Sequence, residues 1–314
     1  MSHLATTEAP ATPAPPAAPP RAAGQAKPSS DEGRVFNVFS HGFLFLWGAL
    51  VTIPLLWAVI QSFKTDTEII NDPLGLPEQW LWGAFGRAWT KGHIGEFFIN
   101  TIIVLIGGVT LTMLLGSMAA YVLARYPFRG NRAVYWMFIA GLTMPIYLGI
   151  LPLYLTVEKI AKALGLVEVI GLNTHLGLIL VYVAYSLPFT IFFLHAFFRT
   201  LPSSIAEAAS VDGAGHVRLF FQVMMPMAKP GLIGIGIFNV IGQWNQFILP
   251  TVIMKDEDKR LLTQGLLELA TNARYETDFA RLFAGMTIAM LPILAVYLVF
   301  HRQVQAGLTG ATLK

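Results

Sequence analysis

Six stretches of this chain run for 20 residues or more without an aspartate, glutamate, lysine or arginine. They lie between Arg34 and Lys64, Glu96 and Arg125, Arg132 and Glu158, Glu168 and Arg199, Lys229 and Lys255, and Arg281 and Arg302. About 20 mostly apolar residues is the length a helix needs to cross the hydrocarbon of a bilayer. Charged residues make up 12% of the 314, against roughly 25% in a soluble domain, which leaves too little polar surface for a water-soluble fold. The expected fold class is an all-α membrane protein with six transmembrane helices over residues 36–302.

The first thirty residues carry seven of the nineteen prolines and cannot bury enough apolar surface to offset chain entropy, so residues 1–35 read as a disordered tail. They lack the basic start and apolar run of a secretory signal. Residues 303–314 read as a second tail. Six spans place both termini on one side of the membrane. Pro54, Pro145, Pro188, Pro250 and Pro292 fall inside the spans, where neighbouring helices can satisfy the freed carbonyls, and are expected to mark kinks. With termini and even-numbered loops inside, the basic count is eleven inside against ten outside, nearly a tie under the positive-inside rule. Arg125, Arg129 and Arg132, with no acid between them, give the local evidence that their loop is cytoplasmic.

Several function classes are disfavoured. No span contains a carboxylate or a basic group for ion coupling, and His41, His175, His195 and His301 sit near span ends, as interfacial residues do. The net charge of +3 forms no dense basic run, so nucleic acid is not an expected partner. There is no cysteine, no His-Glu-x-x-His, no Gly-x-Ser-x-Gly and no Gly-Lys pair, hence no expected metal site, catalytic nucleophile or phosphate-binding P-loop. If ATP powers this protein, another polypeptide binds it.

Between the fourth and fifth spans, residues 199–230 read as two short helices joined at Gly213. Ser204 with Glu207 three residues on fits a capping box, and Asp212-Gly213 fits a helix stop with glycine in the left-handed conformation. Ala208 and Ala209 would let the first helix approach a partner closely. On these grounds alone, Glu207 is either a cap or a docking residue.

The spacing Glu207-Ala208-Ala209, Gly213, then Val223-Met224-Met225-Pro226 resembles the EAA loop of bacterial ABC importer permeases. Asn100-Thr101, Ala119-Ala120-Tyr121 with Arg125, Pro188-Phe189, Trp244-Asn245-Gln246-Phe247 and the ending Gly307 to Lys314 are similar to the carbohydrate branch, specifically the smaller maltose-type membrane component. The resemblance runs from about residue 40 to the end and departs at Gln246, where that branch commonly has glutamate.

It implies a type I permease fold and a non-enzymatic subunit. It also implies a second permease subunit, two cytoplasmic ATPase subunits that hold the ATP and Mg, and an extracytoplasmic solute-binding protein. Glu207, Ala208, Ala209, Asp212, Gly213 and Pro226 would couple to the ATPase. Gly307, Thr309 and Gly310 would reach between the ATPase subunits, the alternative being a frayed end.

The implied cargo is a sugar, in the oligosaccharide or amino-sugar range such as N-acetylglucosamine or its dimer. A polyol or glycerol phosphate and, from another class, an ATP-independent channel or carrier are the alternatives. Gln243, Trp244, Asn245 and Gln246 form an amide and aromatic cluster that suits sugar hydroxyls and C–H faces, and interhelical hydrogen bonding would use the same amides. Leu261, Leu262, Leu266, Leu267 and Leu269 suggest an amphipathic helix before the last span.

Overall fold

A computed structural model describes residues 30–309. In chain order the helices are α1 (Ser30–Gln61), α2 (Asp66–Asn71), α3 (Gly83–Trp89), α4 (Ile94–Arg125), α5 (Asn131–Thr143), α6 (Ile146–Ala163), α7 (Val167–Ile170), α8 (His175–Thr200), α9 (Ser203–Val211), α10 (His216–Arg218), α11 (Met225–Met227), α12 (Lys229–Trp244), α13 (Ile248–Ile253), α14 (Leu262–Glu276) and α15 (Phe279–Thr309). A π-helical stretch, Leu219–Met224, joins α10 to α11. Helix α1 starts at Ser30, inside the expected tail, and α15 continues through Gly307 to Thr309, where a second tail was expected. The rest of the N-terminal tail and Gly310 lie outside the described residues.

Among the described residues four helices are long and apolar enough to span on their own, within α1, α4, α8 and α15. The third expected span is instead two helices, α5 and α6, meeting at 108°. The break falls at Met144-Pro145: a residue before proline is pushed to extended backbone, and Met144 has φ −76° and ψ 123°. The fifth also departs from one continuous helix. Helix α12 ends at Trp244, and the chain re-forms as the short α13 after Phe247. Pro54, Pro188 and Pro292 stay within continuous helices.

The chain divides into two compact units, residues 1–54 and 55–314. In the described part of the first, Phe43 and Trp47 stack one turn apart at 6.5 Å. The second is built around α4 and α8, which run parallel, since Asn100 meets His175, Gly107 meets Ile179 and Gly116 meets Thr190. Along α4 a buried stripe recurs every four residues: Val104, Gly108, Thr112, Gly116 and Ala120. Small residues at that spacing bring backbones close where dispersion and hydrogen bonds, rather than water expulsion, drive helix association. Helix α12 packs antiparallel to both, with Gln243 beside Gly108 and Gly231 against Phe197.

Beyond the Trp244 end of α12, the connections form a cap. Thr65 and Glu68 make a reciprocal capping box at the start of α2, and Asp66 accepts the Ala280 N–H at 3.0 Å. Helix α14 is the expected amphipathic helix. Leu262 and Leu269 are buried with Ala84, Phe97 and Trp244, and Leu266 packs against them, so its apolar face is docked on protein. Leu261, at the N-cap, is buried in a separate cluster with Val104 and Leu178, and Leu267 is exposed.

Arg87 forks onto both Asp278 oxygens, at 3.0 and 3.2 Å, joining α3 to the start of α15. Burial pushes the Asp278 carboxyl up. The hydrogen bonds from Arg87 and the Arg281 amide, with both guanidinium charges, outweigh it and hold the group below its usual range. A depressed carboxylate stabilises the fold fully above its unfolded pKa of about 3.9 and loses that contribution as pH falls through the folded value. Asp278→Asn is therefore expected to lower the unfolding temperature at pH 7, by an amount equivalent to about 1 kcal/mol for a charge-assisted pair whose arginine remains partly exposed. The difference from wild type should narrow once pH falls below the unfolded value and close only below the folded one, as followed by thermal unfolding of the purified protein.

Candidate coupling loop and membrane cavity

The expected helix-turn-helix is present, with one correction. Pro202 is the residue that starts α9, at φ −61° and ψ 131°, and no side chain caps it. Ser204 is thus already inside the helix, where its hydroxyl cannot cap, and the Ser204–Glu207 capping box does not form. Glu207 is exposed and has no hydrogen bond or ion pair among the described residues.

The end of α9 is as expected. Gly213 sits at φ +85°, its N–H donates to the Ser210 carbonyl at 3.1 Å and the Ala214 N–H to the Ala209 carbonyl at 2.9 Å. This pair of bonds is the Schellman pattern, which closes a helix only if the residue after the cap tolerates left-handed backbone.

The two alanines part company. Ala209, with Ala206, packs inward on a cluster of Tyr121, Phe198, Phe220 and Met224, whereas Ala208 faces out with Glu207. Val211 and Ile205 are exposed on α9, Val211 at 88%, and Val217 is exposed on the following α10. One side of α9 is therefore fixed to the spans and the other is an open surface with an apolar rim around a carboxylate.

Tethers hold the loop rigidly. Arg125 donates to the Leu201 carbonyl just before α9, the Tyr126 hydroxyl and His216 Nδ1 lie 3.0 Å apart, and the Tyr121 and Phe220 rings are 5.1 Å apart. Pro226, which lacks an N–H, follows the π-helical stretch at the start of α11, and the chain turns 79° into α12 at Ala228. Motion of α9 must therefore move the ends of α4, α8 and α12 together.

The amide cluster is not one site. Trp244 is buried in the cap, its indole N–H donating to the Ala289 carbonyl at 3.2 Å. Asn245 is exposed, its side chain turned back to the Ile241 carbonyl at 2.9 Å. Gln246 uses its own carbonyl to accept from Thr263 at 2.9 Å. Only Gln243 faces the middle of the spans. Its Nε2 lies 3.2 Å from Ser186 Oγ and 3.5 Å from Thr112 Oγ1, and its buried Oε1 has no partner among the described residues.

One turn away, Asn239 donates to Thr190 Oγ1 at 2.9 Å. Thr112, Ser186, Thr190 and Asn239 are the polar residues that sequence reasoning missed. The four-residue spacing of Gly108, Thr112 and Gly116 on α4 is the signal that marks that face as buried.

Gln243, Asn239, Ser186 and Tyr185 line an open cavity of about 650 Å³ beside the Met144-Pro145 break, with Phe189, Phe238 and Leu153 as apolar walls. That volume lies within the range of small-molecule sites, about 300–1,000 Å³. No lining residue carries a charge. Ser186 lies near the midpoint of α8, so the cavity sits at mid-membrane depth, where transporters with broken helices bind their cargo.

Residues 112–310 match the family described as "Binding-protein-dependent transport system inner membrane component". The chain belongs to this family. It is accordingly a non-enzymatic, inner-membrane permease subunit of an ABC transporter. It is 44% identical over 92% of its length to the diacetylchitobiose uptake system permease protein NgcG of Streptomyces coelicolor, covering 93% of that protein. It is 29% identical over 87% of its length to the arabinooligosaccharides transport system permease protein AraQ of Halalkalibacterium halodurans, covering 94% of it. The fold matches a chain in the crystal structure of a bacterial ABC transporter involved in the import of the acidic polysaccharide alginate. The TM-score is 0.74 at 21% identity, over 87% of this chain and 98% of that one.

Proposed function

We propose that this permease imports a neutral amino-sugar oligosaccharide, diacetylchitobiose or N-acetylglucosamine, in an ATP-driven complex. Its partners would be a second permease subunit, two cytoplasmic ATPase subunits that bind the ATP and Mg, and an extracytoplasmic solute-binding protein. The observation that carries the ATP-driven part is α9, which is fixed to three span ends on one face and presents Glu207, Ala208 and Asp212 on the other. Nucleotide-driven closure of the ATPase pair would push on that face, and the tethers would pass the displacement to α4, α8 and α12 as a rigid lever between two states. This reading puts the loop and both termini in the cytoplasm.

The amino-sugar assignment rests on the 44% identity to NgcG and on the cavity's chemistry. Amide and hydroxyl groups beside aromatic rings hydrogen-bond and stack a neutral sugar. A glycerol-phosphate cargo, as in the name of the UgpE permease of Yersinia enterocolitica at 27% identity, would lack a cation to meet it among the cavity's lining residues.

The test is uptake of labelled diacetylchitobiose by the complex reconstituted in vesicles. Uptake is expected only with the binding protein outside and ATP at the ATPase side. Accumulation by this chain alone without ATP would refute the coupling, and uptake of glycerol phosphate in place of the sugar would refute the cargo.

A further inference from the structure

Three span ends converge at the Glu207 end of the protein, and each brings an arginine. Arg125 closes α4, Arg132 opens α5 and Arg199 closes α8. Arg125 and Arg132 line a cavity of about 800 Å³ together with Asn131, Phe128 and Trp136. Arg132 and Arg199 line an adjoining one of about 440 Å³ with Asn131, His195, Tyr135 and Trp136. Neither lining contains an acid, and none of the three arginines has an ion pair among the described residues.

We propose that these cavities hold the phosphate of an anionic phospholipid headgroup. The positive-inside preference explains basic residues on this side, and Arg129 is an instance that lines neither cavity. It does not explain three guanidinium groups set around one connected space. Helix polarity sharpens the point. Arg125 and Arg199 lie in last turns, where a cation complements the helix dipole, but Arg132 lies in the first turn of α5, which has no acid. There the cation and the positive end of the helix repel, and both are relieved by the same anion. Guanidinium forks match phosphate oxygens in paired hydrogen bonds.

A lipid source, rather than free phosphate, follows from the surroundings. Trp136, 56% exposed, stands one turn further along α5 than Arg132, followed by exposed Met137, and Phe128 is exposed on the other side. This places an indole at headgroup depth with apolar surface beside it for an acyl chain. The cavities adjoin the Arg125–Leu201 tether, so an occupied site would stiffen the link between α4 and α9.

The test uses the intact complex purified in mild detergent. Native mass spectrometry should show phosphatidylglycerol retained in preference to phosphatidylcholine. Brominated phosphatidylglycerol should quench fluorescence that Trp136→Phe removes. In Arg132→Gln/Arg199→Gln, retention should fall about tenfold, equivalent to ~1.4 kcal/mol, while Arg129→Gln keeps it. Equal retention of both lipids, or equal loss in Arg129→Gln, would overturn the proposal. So would displacement by millimolar inorganic phosphate, which would assign the arginines to a free anion, or retention of the lipid only after the ATPase subunits are stripped from the complex, which would assign them to protein docking. If the double variant does not assemble, the wild-type lipid preference and the Trp136 quenching decide alone.

Discussion

Gly213→Pro is expected to reduce ATP-driven uptake by about 100-fold while leaving the protein in the membrane. Gly213 holds φ +85°, and proline is confined near −65° and has no N–H to give to the Ser210 carbonyl, so both closing features of α9 are lost. A penalty of ~3 kcal/mol or more corresponds to about a 100-fold fall in the population of the native loop. Nothing lies within 4 Å of a Cβ placed at Gly213, so the effect is conformational and a graded series should follow. Asn, which tolerates left-handed backbone, should transport nearly as wild type. Ala should lose roughly 1–2 kcal/mol, and a β-branched residue more. Uptake by reconstituted vesicles, normalised to protein in the membrane, reads the series, and full activity in Gly213→Pro would end the coupling role.

The companion variant is Glu207→Lys. Because Glu207 caps nothing and touches no described charge, reversing it should leave α9 folded and remove only what the carboxylate does for a partner. Co-purification of the ATPase is expected to fall with uptake, whereas retained ATPase and retained uptake together would return Glu207 to a surface residue.

Much of this was legible before any coordinates. The charge-free windows locate α1, α4, α8 and α15 because the bilayer punishes buried charge independently of tertiary detail. Asp212-Gly213 locates the end of α9 because left-handed backbone narrows the choice of residue. What failed depended on competition between local signals. Ser204 and Glu207 have the capping spacing, as do Thr65 and Glu68, yet only the second pair forms the box, since Pro202 starts α9 early enough to put Ser204 inside it. Hydropathy saw one span from Arg132 to Glu158 because a bend at Met144-Pro145 leaves apolar content unchanged. Gln243, Trp244, Asn245 and Gln246 are neighbours in sequence, but a helix points successive side chains about 100° apart, and α12 ends among them. One therefore faces the cavity, one the cap, and two the end of the helix.

The stripe on α4 yields the second large effect, and here the neighbours differ. A Cβ at Gly116 would stand 2.6 Å from Thr190 Cγ2, and at Gly108 2.4 Å from Gln243 Oε1. Thr190 is β-branched, fully buried and anchored by hydrogen bonds to the Ser186 carbonyl and from Asn239, so it cannot swing aside. Gly116→Val must therefore part α4 from α8. Overpacking of this kind costs about 1–3 kcal/mol, and loss of the Thr190–Asn239 bond about 0.6 more.

Gly236, on α12, has only Met113 Cε near, at 3.9 Å, so Gly236→Ala should be neutral or slightly stabilising through helix propensity. Thermal unfolding in detergent should rank Gly236→Ala at or above wild type, Gly116→Ala below it and Gly116→Val lowest. Gly116→Val should also fail to sustain uptake, because the lever from α9 runs through the α4–α8 contact it opens. A Gly116→Val protein with wild-type melting and uptake would show that α4 and α8 are not held at this distance in the membrane.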